Sequence, residues 1–110
     1  MLAKKYRLTK HGSFNFVYRK GDFSRHGVIS LVYVSGGKGV KVGFSVPNKV
    51  GKAVYRNKVK RRMRAYMQSR LPLLKPAQLV FSAGKGACEM TYEEIGGAMD
   101  KLLARSGLLK

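Results

Sequence analysis

The side chains able to do acid–base or metal chemistry are few and scattered. His11 and His26 are the two imidazoles, Cys88 is the one thiol, and Asp22, Glu89, Glu93, Glu94 and Asp100 are the five carboxylates. A hydrolase working with its own groups needs a base with an orienting partner, or carboxylates gathered around a metal. Neither pattern occurs. The histidines belong to no metal-spaced motif and read as surface residues. One cysteine can neither close an internal disulfide nor build a structural zinc site, so Cys88 reads as a buried small side chain in a reducing cytoplasm. The stretches "GGKG" and "AGKGA" lack the Ser or Thr that follows Lys in a phosphate-binding loop, and read as turns. No catalytic residue and no metal ligand is expected, so any bond-breaking belongs to a partner.

The chemistry that the sequence does offer is cationic. "VYRNKVKRRMRAYM", Val54 to Met67, holds six Lys or Arg in fourteen residues. Stepping about 100° per residue from Val59 puts Met63, Tyr66 and Met67 on one apolar stripe. Asn57, Arg61 and Arg64 fall opposite it and Lys58 well round from it. Lys60 and Arg62 lie on the flanks, where long stems cover a core edge and still reach water. A solvated helix would relieve this crowding with acids at i±4, but no Asp or Glu occurs between Asp22 and Glu89. A polyanion removes the repulsion and adds counterion release. Asn57 has two readings that the sequence leaves level: an N-cap, or a donor–acceptor at a phosphate, sugar or base edge.

The whole chain repeats the message. Its 110 residues carry 23 Lys or Arg against five acids, a formal net charge of +18, far beyond what solubility needs. Nucleic acid is the leading partner, ahead of an acidic membrane or protein, because the helices need their apolar faces for a core. With 45% hydrophobic residues the length suits one domain, residues 1–110, with one modest core. No apolar run approaches a membrane span, and "MLAKKYRLTK" has no apolar block after it, so a secretory signal is not expected.

Several elements must position that basic helix. "LTKHGSFNFVYRKGD" reads as a first helix, with Phe14, Val17 and Tyr18 on one face, Thr9 as N-cap and Gly21 as the stop. "GVISLVYV" and "GVKVGFSV" read as strands, and "SGGKG" between them reads as the turn of a hairpin. "DFSRHG" adds a short extended piece before them. "PNKVGKA" bends the chain into the basic helix, the prolines of "LPLLKP" end it, and "PAQLVFSAG" is a third main strand. "TYEE" places Thr91 three residues before Glu94, a capping box. Ile95, Met99, Leu102 and Leu103 then form an apolar stripe, with Arg105 suiting the helix's negative end. One α+β domain follows.

The stretch "GFSVPNKVGKAVYRNKVKRRMRAYM", with "SFNFVYRKG" before it and "TYEE" after it, resembles the protein component of bacterial ribonuclease P. The likeness runs along nearly the whole chain and is most specific in "KVGKAVYRNKVKRRMR". It implies an αβββαβα sandwich with a small sheet, of the type found in the second domain of a small-subunit ribosomal protein. The crossover through the basic helix would be left-handed, against a strong general preference. It implies a cytoplasmic ribonucleoprotein that removes the 5′ leader of precursor tRNA. In it the RNA subunit holds Mg2+ and cleaves, and the protein binds no cofactor of its own. The partners implied are the ribonuclease P RNA and the single-stranded leader, with no membrane and no obligate protein partner.

Residue by residue, the resemblance puts Phe14, Tyr18, Ser30, Val32, Ser45 and Lys49 at the leader cleft, with Tyr33 replacing Val32 only if the register shifts by one. Core packing with Val17 is the competing reading for Phe14 and Tyr18. Arg56, Asn57, Lys58, Lys60, Arg61 and Arg64 match the family's basic helix and its RNA contacts. Lys58 stands where Arg is usual, exchanging a bidentate grip for a point charge. Pro47 and Asn48 replace a loop often richer in Ser and Lys. The competing functions are a structural RNA-binding protein of the ribosome, a DNA-binding module and a self-sufficient nuclease.

Overall fold

A computed structural model describes residues 7–8, 11–37, 39–47 and 51–109, with the side chains of all of these except 11–13. The elements run α1 (His11–Lys20), β1 (Asp22–His26), β2 (Ile29–Ser35), β3 (Val40–Ser45), α2 (Ala53–Arg70), β4 (Ala77–Ala83) and α3 (Tyr92–Ser106). Short 3-10 turns occupy Leu71–Leu73 and Ala87–Glu89. This is the expected αβββαβα order in a single-domain α+β fold. The expected caps and loop residues Thr9, Asn48 and Lys49 lie outside the described residues.

The sheet order is β1-β2-β4-β3, with β3 parallel to β4 and the other pairs antiparallel. That overturns the hairpin expected between "GVISLVYV" and "GVKVGFSV": β4 lies between them. The reason is burial. In β4, Ala77, Leu79, Val80, Phe81 and Ala83 are all buried, so both of its faces need cover and both of its edges need partners. β3 exposes Lys41 and suits an edge. The true hairpin joins β1 to β2, where His26 pairs with Ile29 across a two-residue loop and Gly27 takes φ of 63°. "DFSRHG" is therefore a full edge strand.

Side chains alternate across the sheet, and each face has its own cover. Ile29, Leu31, Val42, Leu79 and Phe81 face α2 and α3, whose Val59, Met63, Met67, Ile95, Met99, Leu102 and Leu103 complete the main core. Each such side chain stabilises the fold by about 1.5–3 kcal/mol when fully buried. Val32 and Val80 face the other way and pack with Leu8 and Val17 beneath α1. The helix lies close. A Cβ on Gly21 would stand 2.4 Å from the Val17 carbonyl oxygen and 2.7 Å from Val32 Cγ1, and one on Gly43 2.5 Å from Phe14 Cζ.

The capping box forms as read: Glu94 N–H donates to Thr91 Oγ1 at 3.1 Å and Thr91 N–H to Glu94 Oε1 at 2.9 Å. The expected stripe of α3 is wholly buried. Arg105 does more than face the helix end, donating to the Arg25 carbonyl at 2.8 Å and tying α3 to the β1–β2 hairpin. Cys88 is half-buried against the main core rather than fully enclosed.

Candidate nucleic-acid interface

Helix α2 starts at Ala53 with Lys52 as its N-cap, so Asn57 sits in the second turn, exposed. Its N-cap reading is excluded. Val59, Met63 and Met67 are the buried seam, with Tyr66 half-buried beside them. On the outer side an open groove is lined by Val54, Asn57, Lys60, Arg61 and Arg64. Four of the six residues matched to the basic helix thus meet in one place. Lys58 is exposed elsewhere on the helix, and Arg56 donates through Nε to the Gly51 carbonyl at 3.1 Å. No acid occupies the first turn, so the positive end of the helix dipole adds to the cations.

Two other cations of α2 turn inward. Arg62, part-buried, donates to the Met90 carbonyl. Arg70 pairs with Asp100 of α3, Nε to Oδ1 at 2.9 Å, the one ion pair among the described residues. Asp100 also accepts from the Tyr66 hydroxyl, and that hydroxyl accepts from Arg70 Nη2 at 2.7 Å. The Arg70 guanidinium lies 4.6 Å from the Tyr66 ring centre, and Tyr92 meets the ring edge-on at 5.6 Å. Hydrogen bonding from Arg70 holds the Asp100 carboxyl below the usual range, while burial first and then Asp100 push the Tyr66 phenol up. This latch fixes α2 against α3 with the groove turned out. Its acid lies 30 residues away in sequence, beyond any i±4 search.

The opposite face of the sheet holds the described residues matched to the cleft, a set without Lys49. Phe14 is half-buried over Gly43, and Tyr18 remains 45% exposed on the same flank of α1. Val32 is 8% exposed, beneath α1, and Tyr33 packs on the main core, so the register does not shift. Ser30 and Ser45 line an open pocket with Phe23, Arg25, Pro47 and Ser82. Phe23, Arg25 and Ser82 were not singled out from sequence. The available signal was the alternation in "DFSRH", which puts an aromatic and a cation on one face of a strand. It carries weight only once that strand is known to be an edge.

Comparison with known proteins agrees with this geometry. The family model described as Ribonuclease P matches residues 2–107. The ribonuclease P protein component of Bacillus velezensis is 32% identical over 111 residues, covering 99% of this chain and 96% of that protein. That of Clostridium kluyveri is 33% identical over 109 residues, covering 96% and 97%. Among solved structures, a Staphylococcus aureus RNase P protein mutant with defective mRNA degradation activity superposes with a TM-score of 0.90 at 25% identity, covering 96% of this chain and 92% of that one. The Thermotoga maritima RNase P protein shares the fold, with a TM-score of 0.81 at 23% identity over 90% of this chain and 96% of that one. A basic helix turned outward on this fold, in a sequence so matched from end to end, belongs to the ribonuclease P protein family.

Proposed function

We propose that this chain grips two RNAs at once and leaves the cutting to one of them. Its family makes the ribonuclease P RNA its partner. In this reading the α2 residues Arg56, Asn57, Lys58, Lys60, Arg61 and Arg64 meet that RNA and the substrate near the cleavage site. The single-stranded 5′ leader of precursor tRNA lies along the sheet face by Phe14, Tyr18, Ser30 and Ser45; Val32, covered by α1, supports that face from within, and Lys49 joins the set through the resemblance alone. Aromatic faces stack unpaired bases without demanding a sequence, which suits leaders that differ between tRNAs.

The observation that carries the reading is the groove of Asn57, Lys60, Arg61 and Arg64, gathered with no acidic side chain among the residues that line it. In this reading Mg2+ is held through the RNA, whose phosphate oxygens are the hard ligands it prefers. No described helix is long and apolar enough to cross a membrane.

Reconstitution tests the whole. The purified chain alone should leave precursor tRNA intact, and adding it to a ribonuclease P RNA at low magnesium should restore multiple-turnover 5′ cleavage. A structural ribosomal protein would give no stimulation, and that result would end the proposal.

A further inference from the structure

The register lines up two rows across all four strands. Arg25 pairs with Ser30, Ser30 with Ser82, and Ser82 with Ser45. Beside this polar row runs an apolar one, Phe23, Val32, Val80 and Gly43. Helix α1 covers the last three through Val17 and Phe14, but Phe23 on the edge strand stays 66% exposed. An exposed Phe on an edge strand is an aggregation hazard unless something else covers it. Arg25 is held in place, its Nε donating to the Gly27 carbonyl at 2.9 Å, while Arg105 braces the Arg25 carbonyl from behind. Arg25 also lines a pocket whose lining contains no acid, and its fork carries N–H donors beyond the one given to Gly27.

We infer that this row is a ribonucleotide subsite at the β1 end of the sheet face, with Phe23 stacking one base and Arg25 holding a phosphate of a single RNA strand that leaves over the sheet edge. Three serine hydroxyls, set one strand spacing of about 4.8 Å apart, both donate and accept, as a ribose 2′-hydroxyl does. Positive charge without acids selects a polyanion over a peptide, and the exposed ring selects unpaired bases over a duplex. The inference rests on the leader reading above and extends the leader's path to β1 and the hairpin.

The test uses the reconstituted holoenzyme and a set of precursor tRNAs whose leaders shorten one nucleotide at a time, with mature tRNA as the end point. Phe23→Ala and Arg25→Ala should each weaken binding of long-leader precursor by about 5-fold or more, in keeping with single stacking or phosphate contacts. The loss should vanish once the leader is too short to reach β1. Phe23→Tyr should restore binding, and a 2′-deoxy leader should lose affinity against wild type. Variants that match wild type at every leader length overturn the subsite, as does an equal loss for mature tRNA, which would mark a folding effect. If wild-type holoenzyme itself does not distinguish leader-bearing from mature tRNA, the leader reading falls and takes the subsite with it.

Discussion

Adjacent glycines on α3 should respond to the same substitution with opposite signs. A Cβ on Gly96 would stand 2.1 Å from Tyr66 Cε2 and 2.4 Å from Cδ2, whereas one on Gly97 would meet nothing within 4 Å. The Tyr66 ring cannot slide away freely, because Asp100, Arg70 and Tyr92 hold it. Replacing a mid-helix Gly by Ala gains roughly 0.5–1 kcal/mol of backbone entropy. At Gly97 that gain stands alone. At Gly96 it is opposed by overpacking of about 1–3 kcal/mol, and by about 1 kcal/mol for each latch hydrogen bond broken if the ring is expelled. Gly96→Ala should therefore destabilise by about 1–3 kcal/mol net, lowering the melting temperature by roughly 4 °C or more per kcal/mol. Gly97→Ala should raise it slightly. Thermal melts followed by circular dichroism decide the matter, with Tyr66→Ala as the second background. Removing the ring should turn Gly96→Ala from harmful to neutral or stabilising. If Gly96→Ala melts at or above wild type, or if its penalty survives in Tyr66→Ala, the steric account of the latch is refuted.

The division of cations on α2 makes a paired prediction: Arg64→Met should reduce the salt dependence of holoenzyme assembly by about 0.7–0.9 in log–log slope. Arg62→Met should leave the slope alone and lower stability by about 1–2 kcal/mol, through its lost hydrogen bond to the Met90 carbonyl. Equal slope changes in the two would erase the distinction. Acid titration probes the latch. Because Arg70 lowers the Asp100 value, the unfolded chain takes up that proton more readily than the folded one. The stabilisation is thus present above the ordinary aspartate value of about 3.9 and is lost as pH falls through the depressed folded value. Urea midpoints for wild type and Asp100→Asn should converge as pH drops through that range, and a constant gap would show that the ion pair contributes nothing.

Much of this was written locally. The capping box of Thr91 and Glu94, the stripe of α3, the seam of α2 and the outward cations depend on residues three, four or seven apart, and a helix of fixed pitch converts such spacing directly into faces. The net charge of +18 already demanded a polyanion. Strand partners were not legible, because pairing joins residues far apart in the chain, and the glycines of "SGGKG" suit a hairpin as well as a crossover. Only the packed sheet showed that β4, apolar on both faces, must take the centre. That same choice set Arg25, Ser30, Ser82 and Ser45 in one row from four separate strands. It also brought Asp100 to Arg70 and the Met90 carbonyl to Arg62, separating cations that hold the fold from those that line the outer groove. Sequence determined how much positive charge this protein carries and which helix face bears it. Tertiary structure decided which of those charges are free to act, since a charge is committed by the partner brought beside it in space, and no local spacing encodes that partner.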